Sequence, residues 1–173
     1  MKTTILKFGL YSSVTIIALF TINLFVLPSD LSMGTQEVLG YLAMFIALTF
    51  VFFGIKSYRD KEARGKISFG KGLKIGMLIT LIPAFLFGVF DVIYITLLNP
   101  GFFEEYRTAM ITKMESQYSG AELAAKIAEF DSMMAMAGNP WFDFMLMFIT
   151  VVLLGFIVSL ISSFVLRSST VKA

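Results

Sequence analysis

The chain has 173 residues, of which 57% are apolar, with 14 bases, 12 acids and a formal net charge of +2. It contains neither cysteine nor histidine. That composition excludes disulfides, thiol nucleophiles, Cys/His zinc sites and a histidine general base. We therefore expect one membrane domain over residues 1–173, with no catalytic residues, no metal site and no cofactor.

Four long apolar stretches predict transmembrane helices, because each is near or above the ~20 residues that a helix needs to cross a bilayer. The predicted fold is an all-α polytopic membrane protein, a bundle of four transmembrane helices with an extracytoplasmic helical hairpin between the third and fourth spans. The predicted spans are residues 8–27, 36–57, 70–98 and 140–166, and the hairpin covers residues 101–138.

The bases are divided unequally along the chain. Eleven of the fourteen lie near the two ends of the sequence and in residues 56–74, and three lie between the third and fourth spans. Because Lys and Arg are retained in the cytoplasm, we predict that both termini and a basic loop over residues 58–69 face the cytoplasm. The bases expected to contact anionic headgroups are Lys56, Arg59, Lys61, Arg64, Lys66, Lys71 and Lys74.

Turn and capping residues predict where the spans begin and end. The first span is expected to end at Pro28, and a short turn through Gly34 leads to the second. Gly65 is expected to stop the second span in the left-handed conformation, and Ser68 to cap the third. Pro83 lies inside the third span and predicts a kink that a neighbouring helix or the Thr80 hydroxyl accommodates.

Similar signals define the hairpin. Asn99 and Asn139 each precede a proline and are predicted to cap the helices that follow. Ser119 and Glu122 have the spacing of a capping box. The methionines at 133, 134 and 136 have two interpretations, an adaptable docking surface or packing against the bundle. The predicted helices are residues 102–118 and 121–137.

The segment from Gly65 to Lys71 matches the first seven positions of a phosphate-binding P-loop. The eighth position, which should be the Mg²⁺-binding Ser or Thr, is Gly72. A P-loop also follows a β-strand, whereas a predicted membrane helix precedes this segment. We therefore interpret it as a basic, glycine-rich turn and predict that the protein binds neither nucleotide nor nucleic acid.

Small residues recur at every fourth position in the third and fourth spans. Such residues let membrane helices approach closely. Because fourfold spacing drifts ~40° per step on a 3.6-residue helix, either the Pro83 kink realigns the ridge on the third span or that span has two different partners. The sequence leaves two interpretations of these small residues open, packing between helices of one chain and packing between two copies in a homodimer. The residues are Gly72, Gly76, Thr80, Ala84, Gly88, Gly155, Ser159 and Ser163.

Two carboxylates, Asp91 and Asp143, lie inside the third and fourth spans, where an ionisable residue is a functional hypothesis. Asp143 is expected in the first turn of its helix, where the helix dipole favours an anion. Asp91 has no such explanation. The alternatives for Asp91 are a cation or proton site with Asp143, a hydrated interfacial position, or a link to Arg107, Lys113 or Tyr94.

Three segments carry a resemblance to a known family: Gly54-Ile55-Lys56-Ser57-Tyr58-Arg59-Asp60, Gly65-Lys66-Ile67-Ser68-Phe69-Gly70-Lys71 and Ile157-Val158-Ser159-Leu160-Ile161-Ser162-Ser163. The chain resembles the Bacteroidota family catalogued as domain of unknown function 4199, over essentially its whole length. The resemblance implies a four-helix integral inner-membrane protein and implies no activity, substrate or cofactor.

The sequence favours a non-enzymatic membrane protein that acts through protein or lipid partners. The hairpin is then the outer recognition surface and the basic loop the inner contact, and the partner is a second copy or another membrane protein. The alternative is a small oligomeric transporter or ion-conducting protein in which Asp91 is the carboxylate and the Pro83 kink opens a cavity.

Overall fold

The computed structural model describes residues 1–25, 31 and 33–168. Within these residues the fold is all-helical and no strand is present, which confirms the all-α part of the predicted fold. One short π-helical turn, Tyr94–Leu98, follows the third α-helix. The six α-helices are α1 (Lys2–Phe25), α2 (Met33–Lys61), α3 (Phe69–Ile93), α4 (Phe102–Glu115), α5 (Gly120–Met134) and α6 (Pro140–Leu166).

The four apolar stretches form the four longest helices. The apolar helical segments that are long enough to cross a bilayer are Lys2–Phe25, Gly34–Lys61, Phe69–Leu98 and Pro140–Leu166. At about 1.5 Å per residue, each exceeds the ~30 Å hydrocarbon thickness of a bilayer. Gly34 lies inside α2 and not in a turn, which corrects that expectation. Pro28 lies outside the described residues.

The turn between α2 and α3 has the glycine stop and the serine cap that the sequence predicts. Gly65 has a positive φ of 80°, and Arg64 before it also has a positive φ, of 52°. A left-handed arginine was not expected, because a side chain makes this conformation costly. The Ser68 hydroxyl accepts a hydrogen bond from the Lys71 amide at 3.4 Å, so the turn is closed by local bonds at the start of α3.

Pro83 lies inside α3, which is helical on both sides of it. Its side chain is fully buried. The Thr80 hydroxyl donates to the Gly76 carbonyl at 3.0 Å, one turn earlier in the helix. The Thr80 hydroxyl therefore does not donate to the Ile79 carbonyl, which lacks its usual donor because of the proline. The prediction that this hydroxyl accommodates Pro83 is wrong.

The chain divides into two compact units, residues 1–87 with 147–173 and residues 88–146. In the first unit, α1 and α2 pack antiparallel. The buried Ser12 hydroxyl donates to the Ala47 carbonyl at 2.9 Å, and a Cβ at Gly54 would lie 3.2 Å from the Phe8 side chain. A hydrogen bond between helices and a close glycine contact are the two means by which helices associate where lipid gives no hydrophobic drive.

Within the first unit, α3 and α6 approach through small residues in one antiparallel register. A Cβ added at Gly155 would lie 2.1 Å from the Thr80 side chain. One turn along, a Cβ at Gly76 would lie 2.6 Å from the Ser159 hydroxyl. We call this contact the small-residue seam; its residues are Gly72, Gly76 and Thr80 on α3, and Gly155, Ser159 and Ser163 on α6.

The ends of three elements meet at one end of the first unit. The Thr4 hydroxyl, near the start of α1, hydrogen-bonds to the Glu62 carboxylate just after α2. The Ser168 hydroxyl, just after α6, donates to the Gly65 carbonyl at 3.3 Å and accepts from the Ile67 amide at 3.2 Å. The beginning of α1, the α2–α3 turn and the end of α6 therefore lie on the same side of this unit.

In the second unit, α4 and α5 pack against each other. The Arg107 guanidinium donates two hydrogen bonds to the Asp131 carboxylate, at 2.7 and 2.8 Å. The rings of Tyr106 and Phe130 lie 6.2 Å apart between centroids. The Arg107 hydrogen bonds hold the pKa of the Asp131 carboxyl below its usual range. A bidentate ion pair and an aromatic contact thus join the two helices.

The capping predictions in this unit have mixed outcomes. Asn139 caps α6 as expected, because its Oδ1 accepts from the amides of Trp141 and Phe142 at 3.0 and 3.3 Å. Ser119 is the N-cap residue of α5 but makes no capping hydrogen bond with its side chain. Asn99 caps no following helix, since Gly101 precedes α4 and Asn99 ends the π-helical turn.

We expect Gly155→Ala to destabilise the protein. The added methyl would collide with the Thr80 side chain, which is fully buried in the seam and has no space to move into, and overpacking of this kind costs about 1–3 kcal/mol. Thermal unfolding in detergent measures the effect.

Gly70→Ala is the matched control, because nothing lies within 4 Å of a Cβ added at Gly70 and alanine favours a helix by up to ~1 kcal/mol over glycine. We therefore expect Gly70→Ala to unfold at or slightly above the wild-type temperature. Equal destabilisation by both substitutions would contradict the seam.

Candidate functional site

Asp143 is a buried carboxylate at the start of an apolar helix. It lies in the first turn of α6, which Asn139 positions by capping it, and it is only 4% exposed. The Gly138 backbone amide hydrogen-bonds to its carboxylate, whereas its Oδ2 atom has no hydrogen-bond partner among the described residues. A buried carboxylate oxygen without a partner is costly in free energy, so it calls for a physical explanation.

The structure brings Asp91 and Asp143 together. Both belong to the second unit, and the charge of Asp143 acts on Asp91. The backbones of their helices approach closely here, because a Cβ added at Gly88, one turn before Asp91, would lie 3.1 Å from the Phe144 carbonyl oxygen. Two acidic side chains in apolar helices thus share one level of this unit.

Two of the three groups that were alternatives for Asp91, Arg107 and Tyr94, have other contacts. Arg107 binds Asp131. The Tyr94 hydroxyl accepts a hydrogen bond from the Asn99 side-chain amide at 3.2 Å, and the Tyr94 ring contacts Phe102 edge-on. No ion pair within the described residues includes Asp91 or Asp143. The proposed links from Asp91 to Arg107 and Tyr94 are therefore absent.

The π-helical turn beside this site was not predicted. It begins three residues after Asp91, and Asn99 closes it through a backbone bond from its amide to the Tyr94 carbonyl at 2.7 Å. Such turns insert an extra residue in a helix and recur at functional sites. The Asn-Pro pair that ends the turn was visible in the sequence, but it equally fits the start of the next helix.

The arrangement can bind a positive species. Two carboxylates in low-dielectric surroundings repel each other and cannot both stay ionised without compensation. A proton or a cation supplies that compensation. Among the described residues no group of three or more carboxylates is arranged to hold a metal ion, so the pair has no further acidic ligand.

The small-residue positions contribute packing rather than a cavity. Gly72, Gly76 and Thr80 meet α6 in the first unit, and Gly88 meets α6 in the second. The small-residue face of α3 therefore contacts the same helix, α6, before and after Pro83. The alternative that this face has two different partner helices is wrong at these positions. Ala84 is also fully buried.

Two hydroxyls of the seam stay without hydrogen bonds. The Oγ atoms of Ser159 and Ser163 have no partner among the described residues. Glycines face both of them so closely that a single added carbon would overlap, which leaves no room for a ligand. These serines thus serve close approach and not binding.

The basic segment has no phosphate-binding architecture in the described part of the chain. A helix precedes it, and it has no sheet beneath it. Arg59 pairs with Asp60 at 2.7 Å, and the Lys71 ammonium lies 5.8 Å from the centre of the Tyr58 ring. Its bases are distributed over the end of α2 (Lys56, Arg59, Lys61), the turn (Arg64, Lys66) and the start of α3 (Lys71, Lys74).

An apolar groove also lies on the first unit. Its volume is about 350 Å³, and the Arg167 guanidinium lies 4.1 Å from the centre of the Phe164 ring that lines it. The groove contains no titratable side chain. Its lining residues are Phe69, Leu160, Ile161, Phe164 and Val165.

Comparison with known families identifies the chain. The family described as "Protein of unknown function (DUF4199)" matches residues 7–168. The chain belongs to this DUF4199 family. No match was found among curated proteins or among solved structures. The DUF4199 match covers α2 to α6 and all but the first five residues of α1, so the carboxylate pair and the seam both lie within the family domain.

Proposed function

We propose that this DUF4199 protein is an integral protein of the inner membrane of a bacterium of the Bacteroidota, and that it acts through protein or lipid partners without catalysing a reaction. The observation that carries the membrane assignment is the apolar outer surface of the long helices. Water would make such a surface unstable, whereas lipid covers it at no cost. Large apolar side chains exposed on these helices include Leu10, Val14, Phe45, Phe85, Leu153 and Phe164.

The orientation follows from geometry and charge together. The beginning of α1, the α2–α3 turn and the end of α6 share one side of the first unit, as the Thr4 and Ser168 hydrogen bonds show. The bases of segment 56–74 lie there too. Because Lys and Arg are retained inside, the distribution of bases supports a cytoplasmic position for this side of the first unit and for both ends of the sequence, and an outer position for the α4–α5 hairpin, which has three of the fourteen bases.

Each side offers a different contact surface. The bases of segment 56–74 lie at headgroup level, where each contributes about 1 kcal/mol of attraction to anionic lipid. The hairpin exposes Met133 and Met136, which supports the docking interpretation of the methionines, since thioether side chains adapt to varied partners. The outer hairpin is therefore the surface for a membrane-protein partner or a second copy.

One observation favours a second function, a small oligomeric transporter or ion-conducting protein. Asp143 has a buried carboxylate oxygen without a partner among the described residues, and α3 approaches α6 closely at Gly88, one turn from Asp91. Intramembrane carboxylates of this kind mark ion or proton pathways in other folds. Four spans are few for a transporter, so this function requires an oligomer.

We expect Cys labelling to show the basic turn inside and the hairpin outside. The chain has no native cysteine, so Arg64→Cys and Ser119→Cys each give one reporter. In intact cells a membrane-impermeant maleimide should label Ser119→Cys alone, and permeabilisation should expose Arg64→Cys as well. Labelling of Arg64→Cys from outside would overturn the topology.

We expect the hairpin to determine partner binding. Affinity purification after cross-linking in cells should retain a defined partner or a second copy with wild type and lose it with Met133→Ser/Met136→Ser. Gln117→Ser, an exposed polar exchange in the same hairpin, is the control. A wild-type protein that is always recovered alone, as a monomer, would contradict a partner-dependent function.

A further inference from the structure

No positively charged group among the described residues pairs with the two carboxylates, Asp91 and Asp143. Asp143 is 4% exposed and its Oδ2 lacks a partner among the described residues. Asp91 lies half-buried one turn from the Gly88–Phe144 approach. A buried negative charge must be paired with a positive group or neutralised. The protein's own bases do not pair with it, because the ion pairs of the described residues lie elsewhere.

Two titratable groups on the neighbouring elements, Tyr94 and Arg107, have partners of their own. On α3 and its π-helical turn, Tyr94 is bonded to Asn99. Between α4 and α5, Arg107 is held by both oxygens of Asp131. On α6, the first turn carries no acid other than Asp143. Asp143 is the charged group that acts on Asp91.

We propose that Asp91 and Asp143 form a binding site at which one monovalent metal cation competes with one proton. Two carboxylates that share a low-dielectric site cannot both stay ionised, so the pair holds one proton. One carboxylic O–H bond of the pair breaks, the proton leaves to solvent, and the carboxylate so formed binds the cation together with the other. One positive charge enters and one leaves, so the net charge of the site is unchanged.

A monovalent cation fits better than a divalent one. Calcium takes six to eight oxygen ligands, and magnesium keeps an octahedral shell with several waters. The pair supplies two carboxylates, and no third acidic ligand joins them among the described residues. A single positive charge also exchanges for a single proton, which is what one titrating carboxyl provides.

The monovalent cation is the ligand of the second function proposed above, and its binding to the site does not require transport. Absence of cation flux from liposomes would remove the transport function and leave the site intact. Absence of cation binding by the purified protein would remove the site, whatever the Cys-labelling topology shows.

A natural reporter lies beside the site. Trp141 is the chain's single tryptophan, two residues before Asp143. Its ring stacks on that of Phe144, with 5.8 Å between centroids. The carbonyl of Phe144 faces Gly88, one turn from Asp91. A change of charge at the pair should therefore change Trp141 fluorescence without any added label.

The test is a cation titration of the purified full chain in detergent, followed by Trp141 fluorescence. Sodium, potassium and lithium chlorides are each exchanged for choline chloride at constant ionic strength. We expect a saturable change with at least one metal cation and none with choline. At pH values where the exchanging carboxyl is protonated before the cation binds, the apparent Kd should rise about tenfold for each pH unit of acidification, since one proton competes. Addition of the cation to lightly buffered protein at such a pH should release one proton per site.

Three variants locate the response. Asp91→Asn and Asp143→Asn should each abolish the saturable change and the proton release, and Asp91→Glu should retain both with an altered Kd. Asp131→Asn, which removes the acid paired with Arg107, should respond as wild type does. Asparagine is close to aspartate in size, and gel filtration checks that the variants are folded.

Several results would overturn the site. One is the absence of a saturable change in Trp141 fluorescence when the wild-type protein is titrated with any of the three cations at each pH tested. This result decides the question even if the asparagine variants misfold. A second is an undiminished response in both asparagine variants. A third comes from a parallel titration with calcium and magnesium chlorides: a response to these ions alone, with two protons released, would show a divalent site.

Discussion

The close antiparallel approach of α3 and α6 is the contact on which the packing of the first unit depends. Lipid tails are as apolar as the side chains that face them, so helix association needs surfaces that fit at short range. Gly155 against Thr80, and Gly76 against Ser159, bring the two helices so near that one added carbon would overlap. Large apolar side chains are thereby left to the outer surface, which suits contact with lipid.

The same two helices hold the polar groups that such an environment makes costly. In the second unit Gly88 permits the backbone of α3 to reach the Phe144 carbonyl, and this approach places Asp91 and Asp143 at one level. Hydroxyl groups in membrane helices can satisfy themselves on their own backbone, as Thr80 does on Gly76. The Asp143 carboxylate finds one backbone donor, Gly138, and its Oδ2 atom has no partner among the described residues. The pair is therefore the part of the fold for which we propose a proton or a cation from outside the chain.

Much of this architecture could be predicted from the sequence, because the length and hydropathy of a segment and the residues at its ends are properties of that segment alone. The helical class, the glycine stop at Gly65 and the cap at Asn139 follow from such properties. The helix that faces the α3 ridge could not be predicted, since small-residue spacing does not name a partner. The π-helical turn and the failed cap at Asn99 also escaped prediction, because one Asn-Pro pair fits two local structures. Whether Asp91 and Asp143 meet depends on the register of α3 and α6, which no local signal determines.

Disulfide cross-linking tests that register most directly. In the chain, which lacks native cysteine, Gly72→Cys/Ser163→Cys joins positions whose Cβ atoms would lie 3.1 Å apart, close to the ~3.5–4.5 Å of disulfides. Gly72→Cys/Ser159→Cys shifts one cysteine by a turn, or ~6 Å. In native membranes under mild oxidation, we predict an intramolecular disulfide in the first pair and little in the second. Equal cross-linking of both pairs, or cross-linking only of the shifted pair, would contradict the seam and the placement of the carboxylates that depends on it.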